Sequence, residues 1–547
     1  MISTQVGPDE PRGDATQAET GGRGLAASGW RGTRVALLVA LAGGGLLAAA
    51  FPPLGIWPLA FIGPALLLLA LHRRGLRASF GVGLVFGFAF YVPLFSWVIN
   101  VAWYAWAALA ISEAVIFGVL AIGQRLLLDW PRWAWPPAIA GWWVAAEAFR
   151  DRWPWGGFPW GRLVMSQASS PSAGWAAFGG TPWVTFLVAL TAGCLAMIVL
   201  EQPWKRAAHK QAAQSIAWLA ALVVAAAVTF SGAALRDAFV PSAAGDPTTE
   251  VAAIQGDVPR GTSLATQLND TDVTQNHAAA TITLAQEVAD GKAKAPDLVI
   301  WPENSTSIDP SEDPQIYAAI MGAVDAIGKP VLVGAVLENP LRNAGQLWLP
   351  GKGPVAVYVK RQLVPFGEYI PLRGLISKFS SLPELQPENF TAGTKNVIFH
   401  IGKIRLGVAI CYEIGFDGLV RSDVTDGANL LTMQTNDATF ERDGQTGETY
   451  QQLDMARIRA IESDRAVVVA STTGASAIIA PSGQLITASG LWRRAILESQ
   501  VPLITYRTLA DVVGGWPETV IALLTMAGLG VAVVKRSARA VRSRRLS

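Results

Sequence analysis

Three short segments in the second half of the chain carry groups that could do covalent chemistry. Leu298-Val-Ile-Trp-Pro-Glu303-Asn places a carboxylate after an apolar run. Val359-Lys360-Arg-Gln-Leu-Val-Pro-Phe-Gly-Glu368-Tyr carries an ammonium and a second glutamate, and Gly407-Val-Ala-Ile-Cys411-Tyr412-Glu413 ends an apolar run in a thiol. A thiolate is a strong nucleophile once its proton is removed and its charge supported. A carboxylate can take that proton, and a lysine ammonium can stabilise both the thiolate and the oxyanion of a tetrahedral intermediate. One base, one cation and one thiol therefore suffice for acyl transfer without histidine. Each residue also has a plainer reading: a free cysteine is often a small buried hydrophobe, and a strand-end glutamate or a lysine can simply be solvated or ion-paired.

Other chemistries find little support. The four histidines, His72, His209, His277 and His400, are scattered and form no zinc motif, so no metal and no cofactor is expected. The two cysteines, Cys194 and Cys411, lie far apart in unlike surroundings, which argues against a disulfide framework. Neither a nucleophile-elbow serine nor a phosphate-binding loop pattern occurs. A formal charge of +2, with no basic stripe interleaved with aromatics, gives no reason to expect a nucleic-acid partner.

The elements that must position these groups fall into two unlike regions. Hydrophobic residues make up 51% of the chain and charged residues 15%, against about 25% charge in ordinary soluble domains. Residues 1–30 read as an irregular tail. Seven apolar runs of near bilayer-spanning length follow at 35–51, 55–71, 80–98, 104–123, 134–149, 182–200 and 215–235. They make residues 31–237 a seven-helix transmembrane domain. Charge returns over 238–512, where strand-like runs (Val251–Gln255, Leu298–Trp301, Val331–Val336, Val355–Val359, Arg405–Cys411, Asn429–Gln434, Ala466–Ser471) alternate with helical patterns at 310–328 and 446–463. That alternation predicts an α/β domain. An eighth span within 513–535 and a basic tail, 536–547, complete the chain. With a cytoplasmic N-terminus, the inside segments hold 18 Lys and Arg, and the short outside loops hold only Arg150, Arg152 and Arg162. This bias places the α/β domain outside the cytoplasm.

The order WPE, K-x-x-LVPFGEY, CYE resembles the Glu–Lys–Cys pattern of the nitrilase (carbon–nitrogen hydrolase) superfamily. Its place between seven spans and an eighth resembles the membrane-embedded branch, the apolipoprotein N-acyltransferases, over about residues 31–540. The resemblance implies an αββα sandwich joined to an α-helical membrane bundle of about eight helices. It makes Glu303 the general base, Lys360 the oxyanion stabiliser and Cys411 the nucleophile, with Glu368, Tyr412 and Glu413 in support. Asn436-Asp-Ala-Thr-Phe440 and the 451–462 segment resemble the family's stretches after the nucleophile, as does Phe158-Pro-Trp160 between spans five and six. Where the family often has Trp before Phe440, this chain has Thr439.

By the same resemblance, the enzyme sits in the bacterial inner membrane, takes an acyl chain from a phospholipid onto Cys411, and passes it to the N-terminal amine of a diacylglyceryl lipoprotein, without a cofactor. Asn436, Phe440, Trp160 and Arg162 are candidate substrate contacts, Arg162 through a lipid phosphate. The 436–450 stretch is a candidate lid. Glu113 and Glu147, inside spans, are read as structural before functional. A membrane-tethered amidase and an inactive scaffold for a lipid-linked sugar transferase are the competing readings.

Overall fold

The computed structural model describes residues 20–201, 211–258, 271–378, 387–441 and 444–546. The first half is a helical bundle: α1 (Thr20–Ala49), α2 (Leu59–Leu71), α3 (Leu76–Leu94), α4 (Trp103–Leu127), α5 (Trp135–Arg150), α6 (Ala176–Glu201) and α7 (Gln211–Phe239). A last long helix, Trp516–Leu546, returns to it. A helix already begins at Thr20, inside the stretch expected to be irregular; residues 1–19 lie outside those described.

Six helices among the described residues are long and apolar enough to cross a membrane. The second and fifth predicted spans are shorter, with 13 and 16 residues. At 1.5 Å per residue, α2 is about 20 Å long, less than the roughly 30 Å hydrocarbon core. Both nonetheless pack inside the bundle, with Leu67, Leu71, Ile139 and Trp143 buried, whereas Leu38, Val119, Phe230 and Leu524 face outward as lipid contact requires. Small residues allow the helices to approach closely. A Cβ on Gly83 of α3 would lie 2.3 Å from Ala121 Cβ and 2.7 Å from the Phe117 carbonyl of α4.

Charge inside the bundle is paired. Glu113 meets Arg150 at 2.5 Å, and Arg150 also donates to the Trp160 carbonyl. Glu147 accepts from Trp143, Thr185 and the Leu163 N–H. Both glutamates thus have the structural partners their intramembrane position demands. Basic groups gather at one end of the bundle: Arg74 reaches the Gly32 carbonyl, Arg125 the Arg74 carbonyl, and Asp129 takes both Arg125 and Arg536.

The α/β region sits at the opposite end. Its first sheet has the order β12-β1-β2-β3-β4-β5 and its second β11-β10-β9-β8-β7-β6. The strands are β1 (Thr248–Gln255), β2 (Leu298–Ile300), β3 (Val331–Leu337), β4 (Arg342–Leu349), β5 (Gly353–Val359), β6 (Phe399–Ile401), β7 (Ile404–Ile410), β8 (Leu430–Thr435), β9 (Val467–Ser471), β10 (Ala477–Ile479), β11 (Leu485–Ala488) and β12 (Ala495–Pro502). β1, β2 and β3 are parallel, as are β7, β8 and β9; the flanking strands pair antiparallel. Strand alternation sorts the side chains into layers. Val251, Ala253, Leu298 and Ile300 face Leu406, Val408, Ile410 and Val468 of the other sheet. Their neighbours Ala252, Ile254, Val299 and Trp301 face the outer helices α8 (Thr271–Ala289) and α9 (Pro314–Ile327).

The outer face of the second sheet, through Leu431, Met433, Val467 and Val469, packs on α10 (Asp417–Thr425) and α11 (Gly447–Ser463). That same core continues through Met455 and Ile458 to Leu163, Val184 and Val188 of the bundle. The result is an αββα sandwich whose second helical layer is also its seat on the membrane helices. The seven strands and two helices expected from sequence are present; β4, β6, β10, β11, β12, α8 and α10 are additional.

The close α3–α4 approach gives a direct test. Gly83→Val should lower the thermal midpoint of the detergent-solubilised protein, corresponding to about 1–3 kcal/mol of overpacking. Gly81→Val, where a Cβ meets nothing within 4 Å, should leave the midpoint unchanged.

Candidate active site

Strand direction brings the three chemical segments to one edge. β4 reverses after β3 and β5 reverses again, so β5 runs with β2, and Lys360 and Glu303 both follow the C-terminal ends of their strands. Cys411 follows the C-terminal end of β7 in the facing sheet. Gly334 in β3 makes room for the turn after β2, since a Cβ there would lie 2.0 Å from the Pro302 carbonyl.

Lys360 is 1% exposed, and a buried ammonium must be paired. Its Nζ donates to Glu303 Oε1 at 3.1 Å and Glu368 Oε1 at 2.9 Å. Asn343 Nδ2, from β4, donates to the same two oxygens at 2.7 and 2.8 Å. The outer oxygens are held by backbone: Asn436 N–H on Glu303 Oε2 and Val364 N–H on Glu368 Oε2. Burial alone would lower the Lys360 pKa, but the two carboxylates outweigh it and hold the ammonium well above the usual lysine range.

Cys411 has φ of +51°, a left-handed conformation that costs a non-glycine residue about 1–3 kcal/mol. Glu413 holds the turn. Its carboxylate accepts from Ile410 N–H (2.8 Å), Arg361 N–H (2.7 Å), Gln362 N–H (3.1 Å) and the Tyr358 hydroxyl (2.9 Å). Glu413 thereby ties the end of β7 to the residues just after Lys360, fixing thiol and ammonium relative to one another. Burial and then Glu303 push the Cys411 thiol well above its ordinary value; Lys360 opposes them. Gln452 Nε2 also reaches Cys411 Sγ, at 3.4 Å.

The remaining predicted residues surround this centre unevenly. Tyr412 stacks on Trp160 at 5.3 Å, and its hydroxyl donates to the Gly157 carbonyl at 2.6 Å, so the bundle loop braces the Cys411 turn. Phe440 meets Trp97 edge-on at 5.1 Å, and its carbonyl accepts from Asn100. Asn436, besides its N–H on Glu303, receives the Thr472 hydroxyl. Within the stretch read as a lid, Gln445 is met by Ser96, and α11 begins at Gly447; residues 442–443 lie outside those described.

Arg162 is 2% exposed and points inward. It donates to both oxygens of Asp417 (2.8 and 3.1 Å) and to Thr181, with Asp151 3.2 Å away. Arg459 approaches the same Asp417 at 2.6 Å. Burial alone would raise Asp417, but the two guanidinium groups hold it far below the usual carboxylate range. Asn343 and Asp417 carried no signal in the sequence, because each gains meaning only from partners far along the chain; Gln452 and Arg459 lie in the 451–462 segment, which the sequence marked without a role for either. Among the described residues, no group of three or more His, Cys, Asp or Glu is arranged to hold a metal ion.

Two facing six-stranded sheets with helices outside them are the fold of a carbon–nitrogen hydrolase domain, and the carbon–nitrogen hydrolase family matches residues 250–511. Residues 43–194 match the apolipoprotein N-acyltransferase N-terminal domain. The apolipoprotein N-acyltransferase of Mycolicibacterium smegmatis is 37% identical, covering 96% of this chain and 90% of that one. Those of Azotobacter vinelandii and Pseudomonas syringae pv. tomato are 29% and 27% identical over 94% and 92% of this chain and 97% of each relative. Likeness to solved structures is distant. An amidase of the nitrilase superfamily from Nesterenkonia AN1 aligns at 16% identity and a TM-score of 0.35, covering 48% of this chain and 93% of that one. The chain belongs to the apolipoprotein N-acyltransferase family and is a multi-pass membrane protein.

The role of Glu413 as a clamp is testable apart from chemistry. Glu413→Gln turns an acceptor of several N–H and O–H bonds into a group with its own N–H pair. It should destabilise the purified protein by about 2–4 kcal/mol and broaden the alkylation kinetics of Cys411. Unchanged melting and unchanged alkylation would show that the turn holds without it.

Proposed function

We propose that the protein transfers an acyl chain from a membrane phospholipid, through a thioester on Cys411, to the α-amine of a diacylglyceryl-cysteine at the N-terminus of a lipoprotein. The observation that carries the reading is the Lys360 ammonium fixed between Glu303 and Glu368, beside a thiol on a clamped left-handed turn, in a domain seated on membrane helices.

In the first half-reaction Glu303 takes the Cys411 proton as sulfur attacks the ester carbonyl. Lys360, with a backbone N–H of the nucleophile turn, stabilises the oxyanion. The S–C bond forms, the ester C–O bond breaks, and the departing alkoxide takes the proton back from Glu303, leaving a lysophospholipid. In the second, the acceptor amine attacks the thioester. The N–C bond forms, the S–C bond breaks, and the amine proton passes through Glu303 to the Cys411 thiolate. Burial and Glu303 raise the thiol's pKa, which suits a cycle that couples proton removal to attack. The donor ester is already activated, so the cycle needs no cofactor.

The membrane seat supports lipid substrates. Both donor and acceptor are anchored in the bilayer and reach the site by lateral diffusion. Residues 238–512 form the catalytic domain between the seven-helix segment (31–237) and the last span (513–535). The basic end of the bundle, opposite that domain, supports a cytoplasmic N-terminus and an extracytoplasmic site.

Mass spectrometry of purified protein incubated with phospholipid should find a fatty-acyl increment on the Cys411 peptide, discharged by a diacylated lipopeptide with a free amine. Cys411→Ser should lose the thioester, and Lys360→Met should lower its formation by at least about a hundredfold. An adduct discharged only by water would make the protein a hydrolase, and no adduct from any donor would sink the reading. For topology, a cysteine at exposed Lys352 in a Cys194→Ala/Cys411→Ala background should react with an impermeant maleimide in intact spheroplasts. Labelling only after lysis would reverse the orientation.

A further inference from the structure

Near the thiol lies a buried polar cluster that the reaction above does not use. Asp437, Glu441 and Glu448 are 2–3% exposed. Among the described residues no Lys or Arg bonds them; their partners are hydroxyls, an amide and, for Asp437 and Glu448, each other. Thr449 meets Asp437 and Glu441, Ser471 meets Asp437, and Thr473 meets Glu441. Three buried carboxyls without a cation cannot all be ionised. Burial pushes each of them up, Asp437 to about 6, Glu441 to about 8 and Glu448 well above its usual value.

Gln452 connects this cluster to Cys411. It lies one helical turn after Glu448 on α11, so both project from the same face. It is 1% exposed, and each end of its amide is occupied. Nε2 donates to Cys411 Sγ at 3.4 Å and to Glu448 Oε1, while Oε1 accepts from the Thr435 hydroxyl at 2.9 Å. The reversed amide would set Oε1 against the sulfur. In the orientation present, an N–H lies on the sulfur and Oε1 lies on the Thr435 hydroxyl, which is also 2.7 Å from Asp437 Oδ1.

We infer that Gln452 is a further residue of the acyl-transfer site, keeping an amide N–H on Cys411 Sγ and held in that orientation by Thr435 and Glu448. The inference rests on reading Cys411 as the nucleophile. An N–H donated to sulfur favours the thiolate over the thiol. Sulfur carries negative charge as proton removal begins the first half-reaction and again when the thioester S–C bond breaks in the second, so one fixed donor serves both. Being neutral, it does so without a second buried cation. Glu448 accepts from Gln452 Nε2 and acts as a positioning residue through Gln452.

The test uses the purified full-length protein and follows Cys411 alkylation by iodoacetamide against pH, together with the rate of thioester formation from phospholipid. The titratable and charged groups around the sulfur are Glu303, Lys360, Glu368, Glu413, Asp437, Glu441 and Glu448, and all stay in place in Gln452→Met, which keeps side-chain length and removes both N–H groups. That variant should shift the alkylation profile to higher pH and slow thioester formation by about tenfold or more, with KM for the lipid unchanged. Glu448→Gln, which keeps a neutral acceptor, should stay close to wild type, while Glu448→Leu should follow Gln452→Met in direction. If Gln452→Met does not fold, Thr435→Val frees one end of the amide and should move the profile the same way by less. A folded Gln452→Met with wild-type alkylation profile overturns the inference, whether or not its turnover falls. Wild-type protein that forms no thioester overturns the Cys411 reading instead, and the alkylation profile still tells the two failures apart.

Discussion

The structure turns on one buried ammonium. Lys360 has no access to water, so its charge persists only because Glu303 and Glu368 meet it together and Asn343 bridges the same two oxygens. Removing either carboxylate would leave an unbalanced buried charge, a cost of about 3–5 kcal/mol in comparable settings. That requirement fixes four pieces of chain at one point: the turn after β2, the start of β4, the end of β5 and the loop to Glu368. The glycine at 334 follows from it, since the turn carrying Glu303 must cross β3 at backbone contact.

A second clamp then sets the thiol against that ammonium. Glu413 spends its carboxylate on Ile410 on one side and on Arg361 and Gln362 on the other. The bonds span the two sheets, so the strained φ at Cys411 is held by contacts that also define where Lys360 ends. Strain of this kind persists only where surrounding structure over-determines it. Here the bundle supplies the last constraint: Tyr412 is stacked on Trp160 and bonded to Gly157, and the loop after it is pinned by Asp417 to Arg162 and Arg459. The membrane helices are thus part of the site's scaffold as well as its anchor.

What could be read from the sequence follows this division. Strands such as Val331–Leu337 and Val467–Ser471 are buried on both faces and appear as unbroken apolar runs, so they were legible. β4 was not, because its buried Asn343 and Gln346 are polar: Asn343 is turned to the site and Gln346 to the outer helices, where it accepts from Trp348. β11 and β12 run along sheet edges with much of their length exposed or half-buried; β11 is only four residues long, and Glu498, Ser499 and Gln500 interrupt the apolar run of β12. Glu303, Lys360 and Cys411 were legible because each follows an apolar strand. Arg162 read as a surface cation beside aromatics, yet besides nearby Asp151 it bonds both oxygens of Asp417, 255 residues away in sequence, a distance no local pattern can report. The short α2 and α5 read as spans because hydropathy records apolarity but not whether neighbours or lipid supply the apolar surroundings.

The seating of the catalytic sandwich explains why one fold can serve lipid chemistry. In an αββα sandwich the outer helices only need apolar cover on one face and water on the other. Here α11 buries both faces, one against β8 and β9 and the other against the bundle through Met455 and Ile458. The helix that shields the second sheet from solvent therefore also carries the thiol's environment to the membrane surface. The proposed thioester would be screened from water by protein on the bundle side, which would favour an amine arriving along the bilayer over hydrolysis. The energetic link is direct: the contacts that bury α11 and hold Gln451 on the Pro52 and Leu94 carbonyls of the helix-end loops are the contacts that hold the neighbouring Gln452 at the sulfur.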